Sequence, residues 1–126
     1  MGYIIFFTII LIIFIGYSLT EASILTIKEY ELTFDNLPES FNGLKIAYVS
    51  DVHLGPYIHV KKIKEISEKT NAMGCDIILL GGDYVETPKK NNEKFFNNVN
   101  FKAPMGVIGI LGNHDYKKGF VDTKKY

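Results

Sequence analysis

One cysteine, no arginine and only three histidines occur among the 126 residues, and each shortage closes off a class of function. The single Cys75 excludes an internal disulfide framework and a multi-cysteine zinc site. Its place just before an apolar stretch suits a buried small hydrophobe better than a reactive thiol. All 14 basic residues are lysine and they balance 14 acidic ones, so no nucleic-acid-binding surface is expected. A nucleotide-binding α/β protein would carry a glycine-rich loop after its first buried strand. Asp51-Val52-His53-Leu54-Gly55-Pro56 stands there instead. Internal repeats and low-complexity tracts are also missing.

Charge is absent from the N-terminus. Gly2 to Leu19 is eighteen uncharged residues dominated by Ile, Phe and Leu, which at the helical rise span roughly 27 Å, about one hydrocarbon core. A retained single-pass transmembrane anchor over residues 1–22 is the expectation. The competing reading is a cleavable signal, but Thr20-Glu21-Ala22 is a poor cleavage site and no Lys or Arg precedes the apolar run. The first positive charge, Lys28, sits among Glu21, Glu29 and Glu31, so the positive-inside rule has little to count. The expected location is the cell membrane; the side on which the domain lies stays open, with a lean to the extracytoplasmic one.

Beyond the anchor, alternation at Tyr30, Leu32 and Phe34 predicts a strand within 23–34 in an antiparallel or edge position. Asp35 to Gly43 reads as a loop. Three short apolar runs then predict buried strands at Ile46–Ser50, Ile77–Leu80 and Val107–Leu111. A helix is expected over His59–Met73, with Val60, Ile63, Ile66 and Met73 inward and Gly74 as its stop. Thr87-Pro88 suits a helix start, yet Lys89 to Asn92 are poor helix formers, so only a short helix near Glu93–Val99 is expected. Strand-helix-strand-helix-strand order predicts a βαβαβ unit with mainly parallel strands.

Each strand delivers polar, ligand-type residues at its carboxyl end, where open parallel sheets form binding crevices. The first ends in Asp51 and His53, the second in Gly81-Gly82-Asp83 and the third in Gly112-Asn113-His114-Asp115. Alone, each is weak: Asp-x-His and Gly-Asp are common, and a capping Asp or surface His is the ordinary reading. In order, with Asp83 thirty-two residues after Asp51 and Asn113 thirty after Asp83, they match successive βα units.

Taken together, Asp51-Val52-His53, Gly82-Asp83 and Gly112-Asn113-His114-Asp115 resemble the first three signature motifs of the calcineurin-like metallophosphoesterase superfamily, over roughly residues 37–116. The apolar N-terminus and the flanking Tyr84 and Tyr116 are similar to its bacterial membrane-associated branch. The resemblance implies a fold, the N-terminal half of an αββα sandwich preceded by one transmembrane helix, with 23–126 forming the domain portion. It implies two divalent ions, of Mn, Fe, Zn or Mg type, given the mixed oxygen and imidazole ligands. Asp51 and His53 would bind one ion, Asp83 would bridge both, and the amide oxygen of Asn113 would bind the second. A carboxylate suits the bridge because both oxygens donate and its charge offsets repulsion between cations. The implied chemistry is phosphoester hydrolysis by a hydroxide shared between the ions. His114 would stabilise charge or protonate the leaving oxygen, with Asp115 fixing its orientation.

The family's later histidine ligands have no counterpart here, since all three histidines precede residue 115. The expectation is the N-terminal part of a larger protein or a truncated reading frame, inactive on its own. The alternative is a non-catalytic, membrane-tethered interaction module on the same half-fold. Substrate stays open among phosphomonoesters, phosphodiesters, nucleotide pyrophosphates and lipid-linked phosphates, and the anchor tilts it toward an envelope-associated one. His59, Glu86 and Asp76 read as surface, loop and strand-entry residues.

Overall fold

The computed structural model describes residues 1–21 and 24–116, apart from the side chains of Leu19, Pro88, Lys89 and Lys90. The chain divides into two compact units, Met1–Phe34 and Asp35–Tyr126.

The first unit holds α1, Gly2–Glu21, a 20-residue helix. Tyr3, Phe7, Ile12 and Phe14 are all more than half exposed, and apolar residues stand on every side. The hydroxyls of Thr8, Ser18 and Thr20 donate back to the carbonyls of Ile4, Phe14 and Tyr17, which hides their polarity within the helix. The expected helix is therefore present. The expected span is not supported: among the described residues no helix is long and apolar enough to cross a membrane. The strand expected within 23–34 is also missing. Described residues 24–34 form neither helix nor strand, because alternation makes a strand only where another edge pairs with it.

The second unit is a three-stranded parallel sheet in the order β1-β2-β3, with β1 at Ile46–Val49, β2 at Ile77–Leu80 and β3 at Val107–Gly109. Its register pairs Tyr48 with Leu79 and Leu79 with Ile108. Crossover helices α2, Val60–Ala72, and α3, Pro88–Phe96, touch each other. Helix α3 begins earlier than expected, because Pro88 at the first turn presets the helical φ and outweighs the poor propensity of the residues after it. An unexpected single turn, α4, carries Asn113–Tyr116.

The core lies under the carboxyl ends of the strands. Val52, Leu54, Ile63, Tyr84, Val85 and Phe95 form its buried cluster, with Val49, Ile66, Leu80 and Phe96 packed against it. Four of those six residues belong to the loops that follow β1 and β2. Alternation explains this: Val52 and Leu54 are buried while Asp51 is exposed and His53 half-buried. The opposite face of the sheet carries Ile46, Tyr48 and Ile108, exposed at 52%, 68% and 57%. The described crossovers, α2 and α3, cover one face only, although strands apolar along their whole length call for cover on both. Cys75, ahead of β2, is half-buried, and His59 stays exposed at the start of α2.

Candidate metal centre

The loops after β1 and β2 are laced together by backbone bonds before any side chain is considered. Asp51 N–H donates to Gly82 O, His53 N–H to Asp83 O and Leu54 N–H to Tyr84 O, at 3.1, 3.0 and 3.0 Å. Within this lattice Asp51, His53 and Asp83 adopt left-handed φ of 55°, 49° and 53°. They are the three non-glycine residues with positive φ among those described. Each costs on the order of 1–2 kcal/mol relative to ordinary backbone and persists only where neighbours over-determine it. Such strain gathers at functional sites.

The conformation turns the three side chains toward one another. His53 Nε2 lies 3.6 Å from Asp83 Oδ2 and 3.9 Å from Asp51 Oδ1. Donor atoms about 2.1 Å from a common cation sit roughly 3.0–3.4 Å apart, so each carboxylate oxygen stands a few tenths of an ångström farther from His53 Nε2 than neighbouring ligands of one cation would. Ser50 Oγ donates to Asp51 Oδ2, on the side away from His53. The other imidazole nitrogen, His53 Nδ1, is buried and has no hydrogen bond in good geometry, but Glu86 Oε2 stands 3.1 Å away. A ligating histidine commonly gives its second N–H to a carboxylate, which fixes the tautomer. The donor set therefore fits a divalent cation at His53 Nε2.

His114 enters from α4. Its ring meets that of His53 edge-on at 4.7 Å between centroids, and its Nδ1 is 3.6 Å from the same Glu86 oxygen. Donor atoms of His53, Asp83 and His114 all fall within 4.8 Å of one another. His114 thus comes within ligand reach of the same cation. Asn113, the first residue of α4, is exposed next to it.

Two glycines let these parts meet. Gly82, at φ 91°, lies so close to the backbone of Leu111 and Gly112 that a Cβ would overlap it, and a Cβ on Gly112 would overlap the Asp83 carboxylate. Asp83 instead fills that space and does the capping a side chain at the start of α4 would do: its Oδ1 accepts from His114 N–H at 2.9 Å. Asp115 completes the turn from within. Its Oδ2 accepts from Gly112 N–H at 2.9 Å and Asp83 N–H at 2.7 Å, while its Oδ1 has no hydrogen-bond partner. Asp115 was expected to orient the His114 ring; its bonds go to backbone amides, and the carboxylate near both histidine rings is that of Glu86. Sequence reasoning passed over Glu86 as a loop residue. The available signal was that Glu86 follows Asp83 by three, as the charged residue that closes the apolar pair Tyr84-Val85.

Tyr84 is buried beneath the site, where its hydroxyl donates to Ile110 O at 2.6 Å. Burial, and then the nearby Asp115 charge, raise its pKa from 10.0 to about 12. It is a packing residue, whereas Tyr116 is exposed.

The profile of the calcineurin-like phosphoesterase family matches residues 44–126, two thirds of the sequence and all of the site. The chain belongs to that family. Among curated proteins, a relative from Danio rerio, a transmembrane protein with metallophosphoesterase domain, is 30% identical over 71% of this chain and 21% of its own length. An uncharacterized metallophosphoesterase of Campylobacter jejuni is 28% identical over 88% of this chain and 30% of its own. The UDP-2,3-diacylglucosamine pyrophosphatase of Chlamydia trachomatis is 35% identical over 64% of this chain and 26% of its own. This chain therefore spans between a fifth and a third of the length of these relatives. No solved structure gives a significant match.

Proposed function

We propose that this chain carries the Asp-x-His, Gly-Asp and Gly-Asn-His-Asp portion of the site of a metal-dependent phosphoester hydrolase attached to a membrane. The observation that carries the reading is that His53 Nε2 lies 3.6 Å from Asp83 Oδ2 and 3.9 Å from Asp51 Oδ1, with all three residues on backbone held in the left-handed region. Family membership and the retention of all six motif residues favour an enzyme over a tethered interaction module. Asp51, His53 and Asp83 would hold one divalent ion, and Asp83 with Asn113 would supply part of the shell of a second. Bound there, two such ions would lower the pKa of a shared water and polarise the phosphoryl oxygens.

The chain's own residues do the rest. Glu86 holds the Nδ1 side of His53, leaving Nε2 to the cation. His114, against the same carboxylate, stands where it can donate a proton to a leaving oxygen or a hydrogen bond to developing negative charge. Asp83 turns Oδ2 toward His53 Nε2, while its Oδ1 accepts from the His114 amide. With only Asp83 and Asn113 to offer the second ion, these 126 residues alone should bind metal weakly and turn over negligibly.

The membrane reading rests on the apolar residues exposed on every side of α1 and on the Danio relative's description as a transmembrane protein. A lipid-bearing phosphoester or pyrophosphate is favoured by the Chlamydia relative, whose name gives a diacylglucosamine nucleotide as substrate. Two measurements test the proposal. Titration with Co²⁺ should give a saturable visible absorption that H53A and D83A abolish; equal absorption in the variants would refute the site. Alkaline carbonate washing of membranes from expressing cells should leave the chain in the pellet; release into the wash would refute the anchor.

A further inference from the structure

We infer that Asp115 is a positioning residue for Asp83, holding the peptide of that central carboxylate in the left-handed conformation the site requires. The inference rests on the metal reading above for its purpose but on hydrogen bonds alone for its geometry. The Asp115 side chain is fully buried, at 0% exposure. Removing a carboxylate from water is costly unless charge-assisted bonds compensate, and this one makes two, to Asp83 N–H and Gly112 N–H. A helix-capping role explains only the second, which closes the turn from the third residue of α4 back to Gly112. The first leaves α4 altogether. It reaches the end of β2, and at 2.7 Å it is the shorter of the two.

A reciprocal bond returns from His114 N–H to Asp83 Oδ1. Asp83 is thus gripped at its amide by Asp115 and at its carboxylate by α4. The grip on the amide sets φ, and the grip on Oδ1 sets which oxygen is left for a cation. Without Asp115, the amide of Asp83 would lie buried with no acceptor, and the backbone would relax toward ordinary φ, swinging Oδ2 away from His53 Nε2.

The test compares the chain with D115A and D115N. The asparagine variant keeps an oxygen able to accept both amides, whereas the alanine variant removes it. Amide hydrogen exchange, read by NMR without metal, should speed by about tenfold or more at Asp83 and Gly112 in D115A, the effect of losing a charge-assisted bond. In D115N both amides should stay protected, and Co²⁺ affinity should stay within about threefold of the parent chain while D115A loses about tenfold. Unchanged exchange at Asp83 in D115A, or D115N falling as far as D115A, would overturn the inference. Should D115A fail to fold, the amide protons of Asp83 and Gly112 in the parent chain must resonate downfield and shift together in D115N; separate behaviour overturns it equally. If the parent chain takes up no Co²⁺, the metal reading fails while the exchange comparison still decides the role of Asp115.

Discussion

At the carboxyl edge of the sheet, three non-glycine residues are held in left-handed backbone, two loops are cross-bonded, and Val52, Leu54, Asp83, Tyr84 and Val85 are buried. On the outer face of the same strands, Ile46, Tyr48 and Ile108 lie half or more exposed. The two regions share the same residues' neighbours and yet differ in what specifies them. The edge is fixed by hydrogen bonds and close backbone approach, with its apolar anchors directly below the polar groups. The outer face has regular pairing and no cover among the described residues. Parallel strands of this kind ordinarily lie between two layers, so specificity in this chain resides at the edge and not in the sheet as a whole.

Substitutions should separate the regions in order of size. Phe95, 1% exposed and in contact with the rings of Tyr84 and Phe96, anchors the edge from beneath; F95A should cost about 3–5 kcal/mol in thermal or denaturant unfolding. Next, G112A would force a methyl into the Asp83 carboxylate. A cost of about 1–3 kcal/mol is expected, with Co²⁺ affinity falling by more than the stability loss explains, since Asp83 itself is displaced.

Y84F removes the donor to Ile110 O and should cost about 1–2 kcal/mol near neutrality. It also has a pH signature. A phenol whose folded pKa is raised from 10.0 to about 12 keeps its proton in the folded state while the unfolded chain loses it, so stability falls as pH rises through that window. Y84F should flatten the fall; an unaltered slope between pH 10 and 12 would contradict the assignment. Smallest of all, I108T on the outer face should change stability by no more than about 0.5 kcal/mol. A loss several times larger would mean that this face is covered in solution and would dissolve the contrast between the regions.

The sequence made the strands and the polar residues at their ends legible because each strand is a short apolar run closed by glycine or a charged group. Ile77–Leu80 is where periodicity puts it. The expected segment at Tyr30, Leu32 and Phe34 failed for the complementary reason: alternation records a face, and a strand needs a partner edge as well. Helix α4 was hidden because its cap, the Asp83 carboxylate, comes from thirty residues upstream of Asn113, and one turn has no periodicity to read. Glu86 was hidden because a loop carboxylate becomes informative only when two imidazoles arrive beside it. Asp115 could be assigned to the right motif from sequence, but its partners are backbone amides, which no sequence pattern displays.

The most direct test of the account is Co²⁺ binding followed by visible absorption in the chain and in H53A. The account predicts a saturable signal in the chain, with intensity and affinity both lost in H53A while the far-ultraviolet circular dichroism is unchanged. An identical titration in H53A would mean that the donors around His53 do not hold a metal, and the functional reading would fall with them.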